Sequence, residues 1–320
     1  MTTASAAAEE AAAGERRAAV LAGIGCYFFW GFLPLLFKAA AWAGAGPWEI
    51  VAWRTVWSFV CAAAIIAVTR GWGKVRAALA VPRSLGLLAL AAVLIVGNWS
   101  LFVVAVNSGH TLDASLGYYL NPLMSVAAGM LLFRERIGAG GWTAIALAAL
   151  GVAVQTLAHG SLPLAALGMA TSFCLYGIIK KYVQVGADVG LFFECALLAL
   201  PALAYGLWLQ SSGQGHLGHP LAGLLLALGG PATVVPLITF AWAARRMPLS
   251  TLGFLQFIAP TMQFVIGVAF GEPLPPLSLL AFAFIWSGVA VYAVTAWRKT
   301  RGGAAPSVRL ASISPKGGAS

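Results

Sequence analysis

The sequence predicts an all-α integral membrane protein of ten transmembrane helices, arranged as two inverted five-helix repeats. Three observations carry the prediction. Of the 320 residues 61% are hydrophobic and only 9% charged, with a mean hydropathy of +0.89, whereas a soluble domain carries about 25% charged residues. The apolar residues fall into ten runs, most near the ~20 residues that a helix needs to cross a bilayer core of about 30 Å. Seventeen of the 19 basic residues fall on one set of alternate segments. This composition excludes a soluble enzyme, a nucleic-acid-binding domain and a disordered chain. The net charge of +10 is spread over short loops and tails, not gathered on one folded face as nucleic-acid binding requires. Cys26, Cys61, Cys174 and Cys195 all lie inside apolar runs and form no Cys-x-x-Cys pair, so they read as small packing residues.

The runs follow in order. The first (18–41) is preceded by Glu9, Glu10 and Glu15, where a secretory signal would be basic, and so reads as a retained span. The second (49–69) opens on Glu49, an acid suited to a helix N-terminus. The third (84–106) leads to the fourth (111–133), with Pro122 about eleven residues in. The fifth (142–158) is short; its small residues Ala144, Ala148, Gly151, Ala153 and Ala158 permit a close helix contact or a homodimer seam. The sixth (163–182) and seventh (190–209) follow, the latter with Glu194 near its start. The eighth (221–243) holds Gly229, Gly230, Pro231 and Pro236, which should unwind or bend it. The ninth (249–271) carries Pro260 near its middle, and the tenth (276–297) closes the bundle.

With the N-terminus taken as cytoplasmic, 17 of the 19 basic residues fall in cytoplasmic loops and tails, and the opposite loops hold none. The positive-inside rule then puts both termini in the cytoplasm and the chain in the cytoplasmic (inner) membrane, with lipid as its surroundings. Residues 1–17 and 298–320 are tails on this reading.

An internal repeat organises the rest. Ser115–Pro122 ends in a proline thirteen residues before Glu135; Thr251–Pro260 ends in one twelve residues before Glu272. Trp30-Gly31 is echoed by Tyr176-Gly177, and Glu49 by Glu194. Residues 18–158 and 163–297 therefore read as two copies of a five-helix unit. Five is odd, so the second copy is inverted, a signature of secondary transporters with a substrate site at the midplane.

Longer strings support the same reading. Glu49-Ile-Val-Ala-Trp-Arg54-Thr-Val-Trp57-Ser58, Asn98-Trp99-Ser-Leu-Phe-Val-Val-Ala-Val-Asn107-Ser-Gly-His110, Asp113-Ala-Ser-Leu-Gly-Tyr-Tyr-Leu-Asn-Pro122 and Leu249-Ser-Thr-Leu-Gly-Phe-Leu-Gln-Phe-Ile-Ala-Pro260 resemble the EamA family of the drug/metabolite transporter superfamily. The resemblance covers about residues 18–297. It implies a ten-helix bundle of two EamA repeats and alternating access by a permease for a small-molecule substrate.

Ionisable groups at membrane depth are functional candidates because they are costly there. Arg54 lies about five residues into its run, roughly 7.5 Å below its start. It reads either as an interfacial arginine or as a fixed positive charge holding an anionic group of the substrate through its planar fork. Glu49 stands five residues away, off the face an i,i+4 partner would share, so Asp113 is the expected partner from another helix. Lys38 closes the first run and is either a snorkelling cap or a substrate contact. Glu49 and Glu194, at mirrored places in the repeats, are candidate proton carriers for coupling. Pro122 and Pro260 free backbone carbonyls at mid-depth, which must face protein or a cavity. Tyr118, Asn121, Gln256 and Gln263 neighbour these prolines and are expected to line that cavity, with Asn98 and Trp99 from the third run. Trp99 and Trp30 offer faces on which a substrate could stack. His216-x-x-His219 has no nearby ligand to complete a metal site, and no Gly-x-x-x-x-Gly-Lys-Ser/Thr pattern encodes an ATP-driven pump. The reading therefore calls for no cofactor, metal or catalytic set.

The charge asymmetry has a direct test. A reporter fused after Ser320 is expected to report cytoplasm, and Ser212→Cys to react with a membrane-impermeant maleimide on intact cells. Labelling of Ser212→Cys only after permeabilisation would reverse the orientation.

Overall fold

The computed structural model describes residues 3–107, 111–135, 137–159, 164–269 and 276–301. Every regular element among them is a helix: α1 (Thr3–Trp42), α2 (Pro47–Val68), α3 (Trp72–Leu79), α4 (Pro82–Asn107), α5 (Thr111–Phe133), α6 (Ala139–His159), α7 (Leu164–Tyr182), α8 (Ala187–Ser211), α9 (Pro220–Ala244), α10 (Leu249–Leu255), α11 (Ile258–Ala269) and α12 (Pro276–Arg301). Six stretches are long and apolar enough to cross a bilayer: Glu10–Trp42, Pro47–Val68, Pro82–Val103, Ala139–Leu157, Ala187–Ser211 and Pro220–Ala244. They carry large apolar side chains on their outer surfaces, among them Leu21, Val93, Leu157 and Leu200, as lipid-facing helices do. The chain is a multi-pass membrane protein. Six, not ten, crossings are thus found among the described residues. The runs at 111–133, 163–182, 249–271 and 276–297 are helical as α5, α7, α10–α11 and α12, but each includes side chains outside the described set.

Two helical features were not read from the sequence. α1 begins at Thr3, well ahead of residue 18, because the preceding segment is rich in Ala and Glu, both strong helix formers. The short α3 lies in the loop between α2 and α4 and buries Val75 and Ala78 while Trp72 stays exposed.

The helices pair in a regular pattern. α2 packs on α8, α5 on α10, and α6 on α12. α1 packs on α9 and on α10–α11, while α7 packs on α4 and α5; α2 also meets α9, and α8 meets α4. Three of the small residues of the fifth run, Ala144, Ala148 and Gly151, serve the α6–α12 contact within this chain. Ala144 and Ala148 are buried, and a Cβ at Gly151 would lie 2.6 Å from the carbonyl oxygen of Ala281.

Of the two expectations for the eighth run, to unwind or to bend, unwinding is corrected. α9 is continuous through Gly229, Gly230, Pro231 and Pro236. The glycines instead permit close approach to α2: a Cβ at Gly230 would lie 2.5 Å from the Trp57 carbonyl carbon, and one at Gly229 would lie 2.9 Å from Arg54 Cβ. α5 is likewise continuous through Pro122. The break falls in the ninth run, between Gln256 and Phe257. Pro260 has no N–H to donate to the Gln256 carbonyl four residues back. Helical bonding resumes with the Thr261 N–H donating to the Phe257 carbonyl at 3.2 Å.

The two ends of the bundle are held differently. At one, Arg246 Nε donates to Glu15 at 2.8 Å, Lys181 Nζ to the Met247 carbonyl at 3.2 Å, and Arg245 to the carbonyls of Val183 and Val185. At the other, His216 of the α8–α9 loop lies against Gly44, whose φ of +100° suits glycine, and bonds Glu49.

The α2–α9 approach predicts unequal responses to two alanine substitutions. Gly230→Ala forces α9 from α2 and is expected to cost about 1–3 kcal/mol. Gly25→Ala, in α1 with open space at its Cβ, is expected to be neutral or to stabilise by up to about 1 kcal/mol. Thermal unfolding of the two variants in detergent checks the difference.

Candidate binding cavity

α1, α2, α4, α5, α7, α9 and α10–α11 converge on one cavity. Its one charged residue among the described lining is Arg54. The residue is 3% exposed, and α9 presses on its stem at Gly229. Its Nε donates to Thr233 Oγ1 at 3.2 Å, and the Thr233 hydroxyl donates in turn to the Gly229 carbonyl at 2.7 Å. The guanidinium carbon lies 4.1 Å from the ring centroid of Trp99 and 5.0 Å from that of Phe37, cation–π contacts that strengthen away from water. This burial answers the interfacial alternative: Arg54 is held inside the bundle. The side chain of Asp113, its expected partner, lies outside the described residues. Among those described, no carboxylate pairs with Arg54.

The amides take up the rest of the polar lining. Asn98 Nδ2 donates to the Met169 carbonyl at 2.7 Å and to Ser172 Oγ at 3.1 Å, tying α4 to α7. Gln256, at the α10–α11 break, donates from Nε2 to Ser125 Oγ on α5 at 3.1 Å. Asn121 Oδ1 and Gln256 Oε1 are buried acceptors with no hydrogen-bond partner among the described residues. Gln263 and Tyr118 complete the polar rim, with Tyr118 edge-on to Phe102 at 5.1 Å. Trp30 is engaged by Tyr27, Phe173 and Phe240 at centroid distances of 5.5, 5.8 and 5.9 Å.

Seven of the eight residues expected to meet a substrate thus share one cavity: Arg54, Asn98, Trp99, Tyr118, Asn121, Gln256 and Gln263. Lys38 stands half-buried on α1, outside the lining. One face of Trp99 is taken by Arg54, which leaves less of it for stacking. Pro122, Pro231, Pro236 and Pro260 are not lining residues either; of the four only Pro260 adjoins a helix break. Tyr27, Phe37, Phe173 and Thr233 were not singled out for this role by sequence. Thr233 could have been noticed four residues after Gly229, beside the two prolines.

Glu49 and Glu194 lie apart from the cavity, toward opposite ends. Glu49 is 2% exposed. It accepts the His216 backbone N–H at 2.5 Å and stands 3.0 Å from His216 Nδ1. Glu194 is fully enclosed with Lys180, whose Nζ donates to it at 2.5 Å, and with Tyr176, whose hydroxyl donates at 3.1 Å. Lys180, in the last turn of the sixth run, is 1% exposed; it lies one turn after Tyr176 on α7, and both side chains reach Glu194 of α8.

Comparison with known proteins agrees with this architecture. A sequence profile of the EamA-like transporter family matches residues 17–157. An "uncharacterized transporter" of Vibrio cholerae serotype O1 is 42% identical over 86% of this chain and 91% of its own. The protein RarD of Escherichia coli K12 is 40% identical over 88% of this chain and 96% of its own. A crystal structure of a protein 21% identical covers 88% of this chain and 98% of its own at a TM-score of 0.64, which shows a shared fold.

The Lys180–Glu194 pair carries its own prediction. Removing one partner strands a buried charge, which typically costs about 3–5 kcal/mol, whereas replacing both with apolar groups is often neutral. Glu194→Gln is expected to fall in that range, and Lys180→Met with Glu194→Leu to recover most of the loss. A double-mutant cycle on unfolding in detergent measures the coupling, and additive losses would show that there is none.

Proposed function

The chain belongs to the EamA-like transporter family, and from that premise we propose that it is a secondary active transporter of a small organic solute across the cytoplasmic membrane. The carrying observation is the cavity between the two sequence halves. It is lined from both, with Arg54 on its wall, while one end of the bundle is closed over Lys180 and Glu194. Alternating access is the exchange of this closure for its mirror image. The helix pairings support two inverted repeats over 18–158 and 163–297, with ten crossings. Exchanging α1, α2, α4, α5 and α6 for α7, α8, α9, α10–α11 and α12 carries each principal pairing into another. In this reading both termini are cytoplasmic. Glu49 and Glu194 couple transport to a proton gradient, each holding one end shut while that end is closed.

The test begins with metabolites compared inside and outside cells with and without the protein, to find a transported solute. Counterflow of that solute in proteoliposomes then separates the classes. A carrier exchanges label, a channel shows no countertransport, and an enzyme alters the solute. Asn121→Leu and Gln256→Leu are expected to slow exchange at least tenfold while the protein still accumulates in the membrane. Glu49→Gln or Glu194→Gln is expected to abolish accumulation driven by an imposed pH gradient and to keep exchange at uniform pH. A wild type indifferent to the gradient would remove the coupling role from both.

A further inference from the structure

We infer that the cavity takes an organic monoanion with an apolar body, whose carboxylate-type group seats on the edge of the Arg54 guanidinium; this rests on the transporter reading above. A buried charge is ordinarily paired. Among the described residues, Arg54 has no carboxylate partner and stands as the sole charge on a cavity wall. Its partial compensation comes from the Thr233 hydroxyl and from the rings of Trp99 and Phe37. Those rings lie against the guanidinium and Thr233 takes Nε, so the outer edge with its two terminal nitrogens is the part left to receive a ligand. Two parallel in-plane donors are the geometry that a carboxylate accepts bidentately. Gly229, which a Cβ would bring within 2.9 Å of Arg54 Cβ, fixes the stem so that the edge is presented in one place.

The remaining lining describes the rest of the ligand. Phe102, Phe173, Leu237 and Leu33 form an apolar wall. Among the described residues no donor reaches the buried acceptors Asn121 Oδ1 and Gln256 Oε1, and a ligand N–H or O–H would satisfy them. An organic cation would face the repulsion of the fixed Arg54 charge, with no carboxylate among the described lining residues to offset it. The class is thus an anion with an apolar body and at least one donor.

The experiment measures binding to the purified full-length protein by tryptophan fluorescence, with four probes that share a skeleton. 3-Phenyllactate is the anion, 3-phenyllactamide its neutral counterpart, 1-amino-3-phenylpropan-2-ol the cation, and 3-phenylpropionate the anion without the donor. The inference expects 3-phenyllactate to bind at least tenfold more tightly than the amide, several-fold more tightly than 3-phenylpropionate, and the amine not to bind. Arg54→Gln should level the anion and the amide. Arg54→Lys, which keeps the charge and loses the fork, should retain a weakened preference for the anion. The wild-type ranking needs no variant to fold. Amide or amine binding as tight as the anion, an Arg54→Gln protein that binds the anion as the wild type does, or no binding by any probe overturns the inference. Counterflow of the same probes separates this from the transporter reading. If the amide or amine is bound and exchanged in place of the anion, the substrate class fails and the carrier stands. If the anion binds through Arg54 and is never exchanged, the class stands and the carrier fails.

Discussion

The close contact between α2 and α9 determines where this bundle can hold a positive charge. Two glycines on α9 bring its backbone against Arg54 and Trp57, nearer than any larger residue would allow. Without a hydrophobic force between helices in lipid, small residues are the means by which backbones approach and gain dispersion contacts. One consequence is local: the Arg54 stem is clamped, and Thr233, one turn after Gly229, meets Nε. Another is architectural. α2 and α9 are the most enclosed of the apolar spans, and the helices that supply the other cavity residues gather round this pair.

Around that contact the polar groups sort into those satisfied within the protein and those left facing the cavity. Asn98 spends both donors on α7, and Gln256 its amide on α5; each ties a helix in place. An unsatisfied buried polar group costs about 1–3 kcal/mol, so the free oxygens of Asn121 and Gln256 oppose the stability of the fold. They occur where a ligand would come, and a transporter's site must be able to exchange water for solute. The unpaired groups fit that need better than a packing role.

The sequence reading reached the cavity through residues that are conspicuous in apolar runs. Arg54, Asn121 and Gln256 stand out because charge and amides are costly there, and helical spacing from Pro122 and Pro260 gathered their neighbours. It failed where one residue type serves two physical ends. Gly229 and Gly230, with Pro231 and Pro236, were read as unwinding or bending α9, but the same absence of a Cβ permits packing on α2, and only the tertiary contact shows it. Lys180 was not singled out because it adjoins Lys181 at the end of an apolar run; its partner Glu194 lies fourteen residues away on another helix, a distance no periodicity reports. Thr233 was overlooked because a threonine in a helix ordinarily bonds its own preceding turn, which it also does here.

The two glutamates, mirrored on the two-repeat reading, are held by unlike partners, and the difference bears on how the ends could alternate. Glu49, 2% exposed, pairs with a histidine whose side chain is 39% exposed, so water reaches only the histidine side of that contact. Lys180 and Glu194 are each 1% exposed. Their mutual attraction offsets a desolvation cost of several kcal/mol per ion. Opening the end that covers them would return both ions to water and recover that cost as the ion pair is lost. A buried ion pair therefore seals its end without fixing it shut, whereas an apolar plug of the same size would resist hydration throughout. An end built this way can be closed and dry in one state and open and wet in the other with a modest free-energy difference between them, which is the condition an alternating carrier has to meet.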